Sequence, residues 1–325
     1  MALSKDAKKA YKKAVKAKNK RQRKHWLFFR KGDGVKEIFS KLITQVALVV
    51  LIGCGVVLGN EARLSLSAQF LSKSLTDLYH TFIHIEDKGD DNADPMPGAK
   101  RLLQDNPETI GWVRIADTKV DGPVVQRKSA DGNEYYLKRS FDGKNNKAGT
   151  IFLDMRATLT YSKRSDQLVI YGHNQKDRTM FGDLYNYKNN VDYYKKHPVI
   201  DFSSNYRSDK YKIFAYFVAP VTPNQTRDGV IFDYHNYINF SGKAQYTDFV
   251  NHVALRSQII TDVDLEYGDE FLTLSTCSNE YDNLRFVVFS RKVRKGEDAS
   301  VDVGTARMNP NVKEPDWDVI RRQYG

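Results

Sequence analysis

Cys277 is the residue in this chain with the widest chemical reach. A cysteine attacks carbonyls as its thiolate, and turnover needs a proton-transfer partner and a donor for the oxyanion that forms. Cys277 closes the run Phe271–Thr276, which reads as a buried strand, and a second β-rich run, Leu284–Val293, follows after a short polar loop. A thiol at a strand end sits on a rigid scaffold. On position alone a buried, inert cysteine fits equally well. Among seven histidines His173 stands apart, because it follows the run Gln167–Tyr171 as Tyr-Gly-His-Asn. The glycine there lets the chain turn sharply. His25 precedes the apolar N-terminal segment, His80 and His84 fall in a helical stretch, His197 precedes a proline, and His235 and His252 lie in an inserted region. None has metal-ligand spacing, so neither a metal nor an organic cofactor is expected. Arg285 lies eight residues beyond Cys277. Antiparallel pairing of the two runs brings its guanidinium back beside the thiol.

Those residues need elements to position them. From Gly111 onward short β-like runs recur (WVRIA, PVVQ, GTIFLD, QLVIYG, YKIFAYFVA, EFLTLST, LRFVVFSRKV) with Gly, Asn and Asp between them. That spacing predicts a sandwich or barrel, mainly β with inserted helices at Met180–Tyr187 and Ala244–Ser257. A short helix is expected from Ala99 to Leu103, stopped by Asn106–Pro107. The last ten residues, with Trp317, Val319 and Ile320, form a candidate docking helix.

Ahead of this body, Leu42–Gly59 contains no charged residue. As a helix it reaches about 27 Å, close to the thickness of a bilayer core. The 325-residue chain has a net charge of +11, but it is unevenly spread. Residues 1–41 hold fifteen Lys/Arg against three Asp/Glu, a net of +12, and the rest of the chain carries −1. The body is therefore not a basic domain, and no nucleic acid is expected as a partner. The asymmetry predicts a cytoplasmic N-terminus and everything after residue 60 outside. An uncleaved anchor fits better than a signal peptide, since no small-residue cleavage site ends the apolar run. The basic segment reads either as a solvated tail or as a surface adsorbing to membrane lipid. Cys54 within the span and Cys277 outside it cannot pair with each other. The expected organisation is a basic segment (1–41), a membrane anchor (42–59), a stalk helix and acidic linker (60–97), a catalytic domain (98–294) and a tail (295–325).

Thr273-Leu274-Ser275-Thr276-Cys277 followed by Asn283-Leu284-Arg285-Phe286-Val287-Val288 resembles the cysteine motif of sortases, the Gram-positive transpeptidases, with the serine typical of class B. Val169-Ile170-Tyr171-Gly172-His173-Asn174, then Met180-Phe181-Gly182-Asp183-Leu184, is similar to the class B histidine segment. Residues 106–112, 123–126, 133–137 and 148–154 are similar to the family's earlier motifs, so the resemblance covers about residues 98–294. It implies an eight-stranded sortase-type β-barrel preceded by a single transmembrane helix and N-terminal helices. It implies Cys277 as nucleophile, His173 as acid and base, Arg285 as oxyanion donor, and a backbone N–H at Ser278 as a helper. Tyr171, Ser275, Thr276, Asn133 and Leu137 match a substrate groove, with ordinary barrel packing as their other reading. Implied partners are secreted proteins with a C-terminal NPxT-like or S/PPxTG-like sorting motif, and an amine of peptidoglycan or its lipid-linked precursor. A secreted cysteine protease, a pilin-polymerising sortase and a non-catalytic adhesin remain as alternatives.

Overall fold

The computed structural model describes residues 9–17, 27–29, 31–83, 94–277 and 284–324. Ser278, Asn283, His25, His84 and residues 87–93 of the expected linker lie outside these. The chain divides into two compact units, Met1–Ser65 and Leu66–Gly325. The first contains most of helix α1 (Val35–Ile83), whose apolar part is long enough to cross a membrane and has its hydrophobic side chains exposed.

The second unit is built on a closed eight-stranded barrel with strand order β1-β2-β3-β4-β8-β9-β6-β5. The strands are β1 (Thr109–Arg114), β2 (Asp121–Val125), β3 (Ile151–Leu153), β4 (Gln167–Tyr171), β5 (Val199–Ser204), β6 (Ser208–Pro220), β8 (Phe271–Cys277) and β9 (Leu284–Lys292). A two-stranded ribbon joins β7 (Ile259–Ile260) to β10 (Arg307–Met308). The parallel pair β4–β8 sets the site, with Gln167 opposite Phe271 and Tyr171 opposite Ser275. β4 holds the apolar run Leu168–Ile170, while β8 interleaves Phe271, Leu272 and Leu274 with Thr273, Ser275 and Thr276, all of them buried because both faces are covered. Leu168, Val169, Ile170, Leu272 and Leu274 are fully buried.

The helices cover the barrel wherever their apolar spacing presents one face to it. Between α2 (Pro97–Asp105) and β6 lie α3 (Gly132–Tyr135) and α4 (Val191–Lys196). Helix α5 (Lys243–Arg256) buries Tyr246, Phe249 and Val253, a three-then-four spacing on one side. Phe249 meets Phe271 with ring centroids 5.3 Å apart. The last part of α1, within the second unit, buries Leu75 and Tyr79. Tyr79 stacks on Trp112 at 4.2 Å, and Asp121 accepts from both Trp112 Nε1 (2.6 Å) and His80 Nε2 (2.8 Å). The C-terminal helix α6 (Trp317–Tyr324) buries Ile320 completely.

One expectation is refined, and three strands carry too little pattern to be expected. The expected helix at Met180–Tyr187 is a 3₁₀ stretch, Gly182–Tyr187, entered through a left-handed Met180. β5 has only two apolar inward residues, Ile200 and Phe202, too short an alternation to mark a strand. The two-residue β7 and β10 carry no period to detect.

Candidate active site

The site forms where β4 and β8 end side by side. Gly172 follows β4 with the Phe181 ring packed against it, and a Cβ there would lie 2.7 Å from the ring. The turn delivers His173, whose Nε2 lies 2.6 Å from the carbonyl oxygen of Leu137. A carbonyl accepts and never donates, so Nε2 carries the proton and Nδ1 is the basic nitrogen. Leu137 sits in the 3₁₀ turn Tyr136–Lys138. That turn is fixed by Tyr136, whose hydroxyl donates to Glu108 (2.6 Å) and accepts from Asn106 (3.0 Å). Gly149, at φ +70°, lies beneath the imidazole, and a Cβ would come within 2.9 Å of both His173 Cδ2 and the Leu137 oxygen.

Across from this, β8 and β9 pair antiparallel with Cys277 in register with Arg285 and Thr276 with Phe286. Cys277 is placed here by its backbone, as the last residue of β8. Arg285 is half-buried and donates from Nη1 to its neighbour's carbonyl at Leu284 (3.2 Å).

A pocket of about 590 Å³ opens at this end of the barrel. It brings together His173, Arg285, Tyr171, Ser275, Thr276, Asn133 and Leu137 from widely separated parts of the chain. Asn133 also accepts from the Met155 N–H (2.7 Å), and Ser275 Oγ shares a hydrogen bond with the Tyr234 hydroxyl (2.8 Å). Thr276 Oγ1 is buried without a hydrogen-bond partner among the described residues.

Sequence reasoning missed one side of the pocket: Arg156, Phe232, Tyr234 and His235 also line it. The loop that carries the last three has no hydrophobic period that would place it beside β4 and β8. Burial pushes the Tyr171 hydroxyl well above the ordinary tyrosine value, with Tyr234 and Asp154 adding to it, so it stays a donor. Burial also lowers His235 below the usual histidine value, against the pull of Asp233, which keeps it uncharged at neutral pH. Asp154 is pushed up by burial, but hydrogen bonds from Arg156 and Tyr171 outweigh this and hold it ionised.

The sortase-domain family model matches residues 113–293, more than half of the chain and all of the barrel from β1's end to β9. The chain belongs to the sortase family. Its likeness is to the class B branch of these cysteine transpeptidases. It is 28% identical over 263 residues to sortase B of Listeria monocytogenes, covering 80% of this chain and 99% of that protein. It is likewise 28% identical over 200 residues to sortase B of Staphylococcus aureus, covering 61% of this chain and 75% of that one. A Bacillus anthracis structure described as similar to sortase B superimposes with a TM-score of 0.57 at 26% identity, covering 69% of this chain and 95% of that one. A substrate complex of the S. aureus sortase B has a TM-score of 0.60 at 24% identity, covering 71% and 98%, and establishes the shared barrel.

Proposed function

We propose that this sortase is a membrane-anchored transpeptidase that joins secreted proteins to a cell-wall amine through a thioester on Cys277. The observation that carries the reading is one pocket at the ends of β4 and β8, holding His173 and Arg285 beside the Cys277 backbone. In this account the Cys277 thiolate attacks the carbonyl carbon of the threonine in a C-terminal sorting motif. Arg285 donates to the oxyanion as the carbonyl electrons move onto oxygen. An arginine suits that task because it stays charged at every working pH. The backbone N–H of Ser278 is proposed as a second donor. His173, as imidazolium, gives the Nδ1 proton to the departing amine as the C–N bond breaks, and the thioester remains. The neutral Nδ1 then takes a proton from the incoming amine as it attacks, and the thiolate leaves. Fixing Nε2–H on Leu137 leaves Nδ1 as the ring atom that exchanges protons in both half-reactions.

The pocket volume lies in the range of small-ligand sites and accommodates a few peptide residues. Tyr171, Ser275, Thr276, Asn133 and Leu137 are assigned to the peptide. The acceptor is assigned as an amine of peptidoglycan or its lipid-linked precursor, by likeness to the family. The apolar part of α1 is assigned as the anchor with its basic flank cytoplasmic, which places the barrel outside. A panel of NPxT-like and S/PPxTG-like peptides, each with and without an amine, tests the assignment. An amine-dependent ligated product is expected from one motif class. Hydrolysis alone, unaffected by amine, would instead make the protein a cysteine protease. Arg285→Lys should lower kcat/KM at least 100-fold, about the effect of losing one oxyanion donor, and a near-normal rate would remove Arg285 from the mechanism.

A further inference from the structure

The pocket has two walls from distant parts of the chain, joined by a circuit of side-chain hydrogen bonds and backbone links. On one side, Asp154 follows β3 and is fully buried. Its Oδ2 accepts from the Tyr171 hydroxyl (2.9 Å) and from Arg156 Nη2 (2.7 Å), and its Oδ1 accepts from Arg156 Nε (2.9 Å). The same guanidinium reaches the other wall, donating to the His235 carbonyl (2.8 Å) and Asn236 Oδ1 (2.9 Å). That wall returns through Tyr234, whose hydroxyl bonds Ser275 Oγ, and Ser275 is the β8 register partner of Tyr171. The links run from Asp154 to Tyr171, across the β4–β8 pairing to Ser275, on to Tyr234, along the chain to His235, and through Arg156 back to Asp154.

We propose that Arg156, held by Asp154, is a positioning residue that fixes the 232–237 wall of the sorting-peptide pocket against the Tyr171–Ser275 wall. The inference rests on the assignment of this pocket to the peptide. Arg156 has a 43% exposed side chain, so it is not there to fill a core. An ion pair with one fully buried partner contributes little net stability compared with apolar packing. Its geometry, however, ties three separate segments at once. A lysine preserves the charge but cannot supply the planar fork that reaches all three partners. The wall itself lies between β6 and α5, outside the barrel's strand ladder, where local opening is least resisted.

The test is Arg156→Lys and, separately, Tyr234→Phe in the full chain, with two readouts. The first is amide hydrogen exchange at residues 230–237, which needs no substrate. The second is the steady-state kinetics of whichever sorting peptide the wild-type chain turns over. Each variant is expected to speed exchange across 230–237 by about tenfold, the scale of losing one buried hydrogen bond, with exchange in β4 and β8 unchanged. The peptide KM is expected to rise by a similar factor, with the loss falling mainly on KM rather than kcat. Combining the two substitutions should cost less than the product of the single effects, since either one opens the circuit. Unchanged exchange in the wall, or exchange that rises equally throughout the barrel, would overturn the proposal. Failure of the wild-type chain to act on any sorting peptide would count against the assigned function and leave the exchange result to decide this one.

Discussion

The imidazole of His173 is aimed by its acceptor. The Leu137 carbonyl fixes which nitrogen holds the proton, and the space over Gly149 lets the ring lie flat enough to reach it. Gly149→Ala would place a methyl group 2.9 Å from His173 Cδ2 at a left-handed φ that alanine resists. A reacting group misplaced by about 1 Å costs on the order of 100-fold. Gly149→Ala is therefore expected to lower kcat roughly 100-fold while the far-ultraviolet circular dichroism stays native. A normal kcat would show that the ring position tolerates the shift. At this scale the sequence was partly legible. Tyr-Gly-His-Asn and Thr-Leu-Ser-Thr-Cys mark their own residues, and Arg285 could be placed opposite Cys277 from strand pairing alone. The Leu137 carbonyl left no mark, because a backbone oxygen can belong to any residue type. Arg156 was visible only as a residue near a motif, since its partners at 235 and 236 come from a loop without pattern.

Among the elements, the parallel β4–β8 pair carries the site and the end of α1 braces it. Leu75 and Tyr79 cover Trp112, and that cluster continues through Phe152 to Tyr171 and Leu137 beside the pocket. Burying those two side chains contributes about 4 kcal/mol, at roughly 2 kcal/mol each. A chain starting at residue 94 should therefore melt about 10 °C below one starting at residue 66. Equal melting temperatures would show that this part of α1 is a spacer rather than part of the folded body. β4, β6, β8 and β9 were readable because each carries a cluster of apolar residues, such as Leu168–Ile170 and Phe286–Phe289, that two covered faces demand. β5 and the β7–β10 ribbon were not readable, since pairing with neighbours, rather than local pattern, makes them strands. The docking of the tail through Ile320 followed from its apolar positions.

Across the whole molecule, charge is organised at two levels. The +12 head and −1 remainder set the proposed topology. At the barrel end away from the pocket, Arg291 is fully buried and pairs with Glu297 (2.6 Å) and Asp264 (3.0 Å), while Arg294 pairs with Asp269 (2.7 Å). The bond from Arg291 holds the Glu297 carboxyl far below the ordinary glutamate value, against burial. A depressed carboxylate stabilises the fold fully above its unfolded pKa, near 4.5, and this contribution fades as pH falls toward the folded value. Glu297→Gln strips a buried guanidinium of its main counter-charge, which costs about 3 kcal/mol at pH 7. Melting curves should show the variant roughly 8 °C less stable at pH 7, with the gap narrowing below pH 4.5. A gap that stays constant with pH would mean that the Glu297 charge is not what Arg291 requires.

The central claim is a thioester on Cys277 that an amine resolves, and intact-mass spectrometry reads it directly. The chain is mixed with a turned-over sorting peptide, first without and then with an amine acceptor. An acyl adduct equal to the peptide up to its threonine is expected, and it should map to Cys277. The adduct should disappear on adding amine as the ligated peptide appears, and it should be absent from Cys277→Ala. Formation of the ligated product by Cys277→Ala at the wild-type rate would rule out Cys277 as the nucleophile.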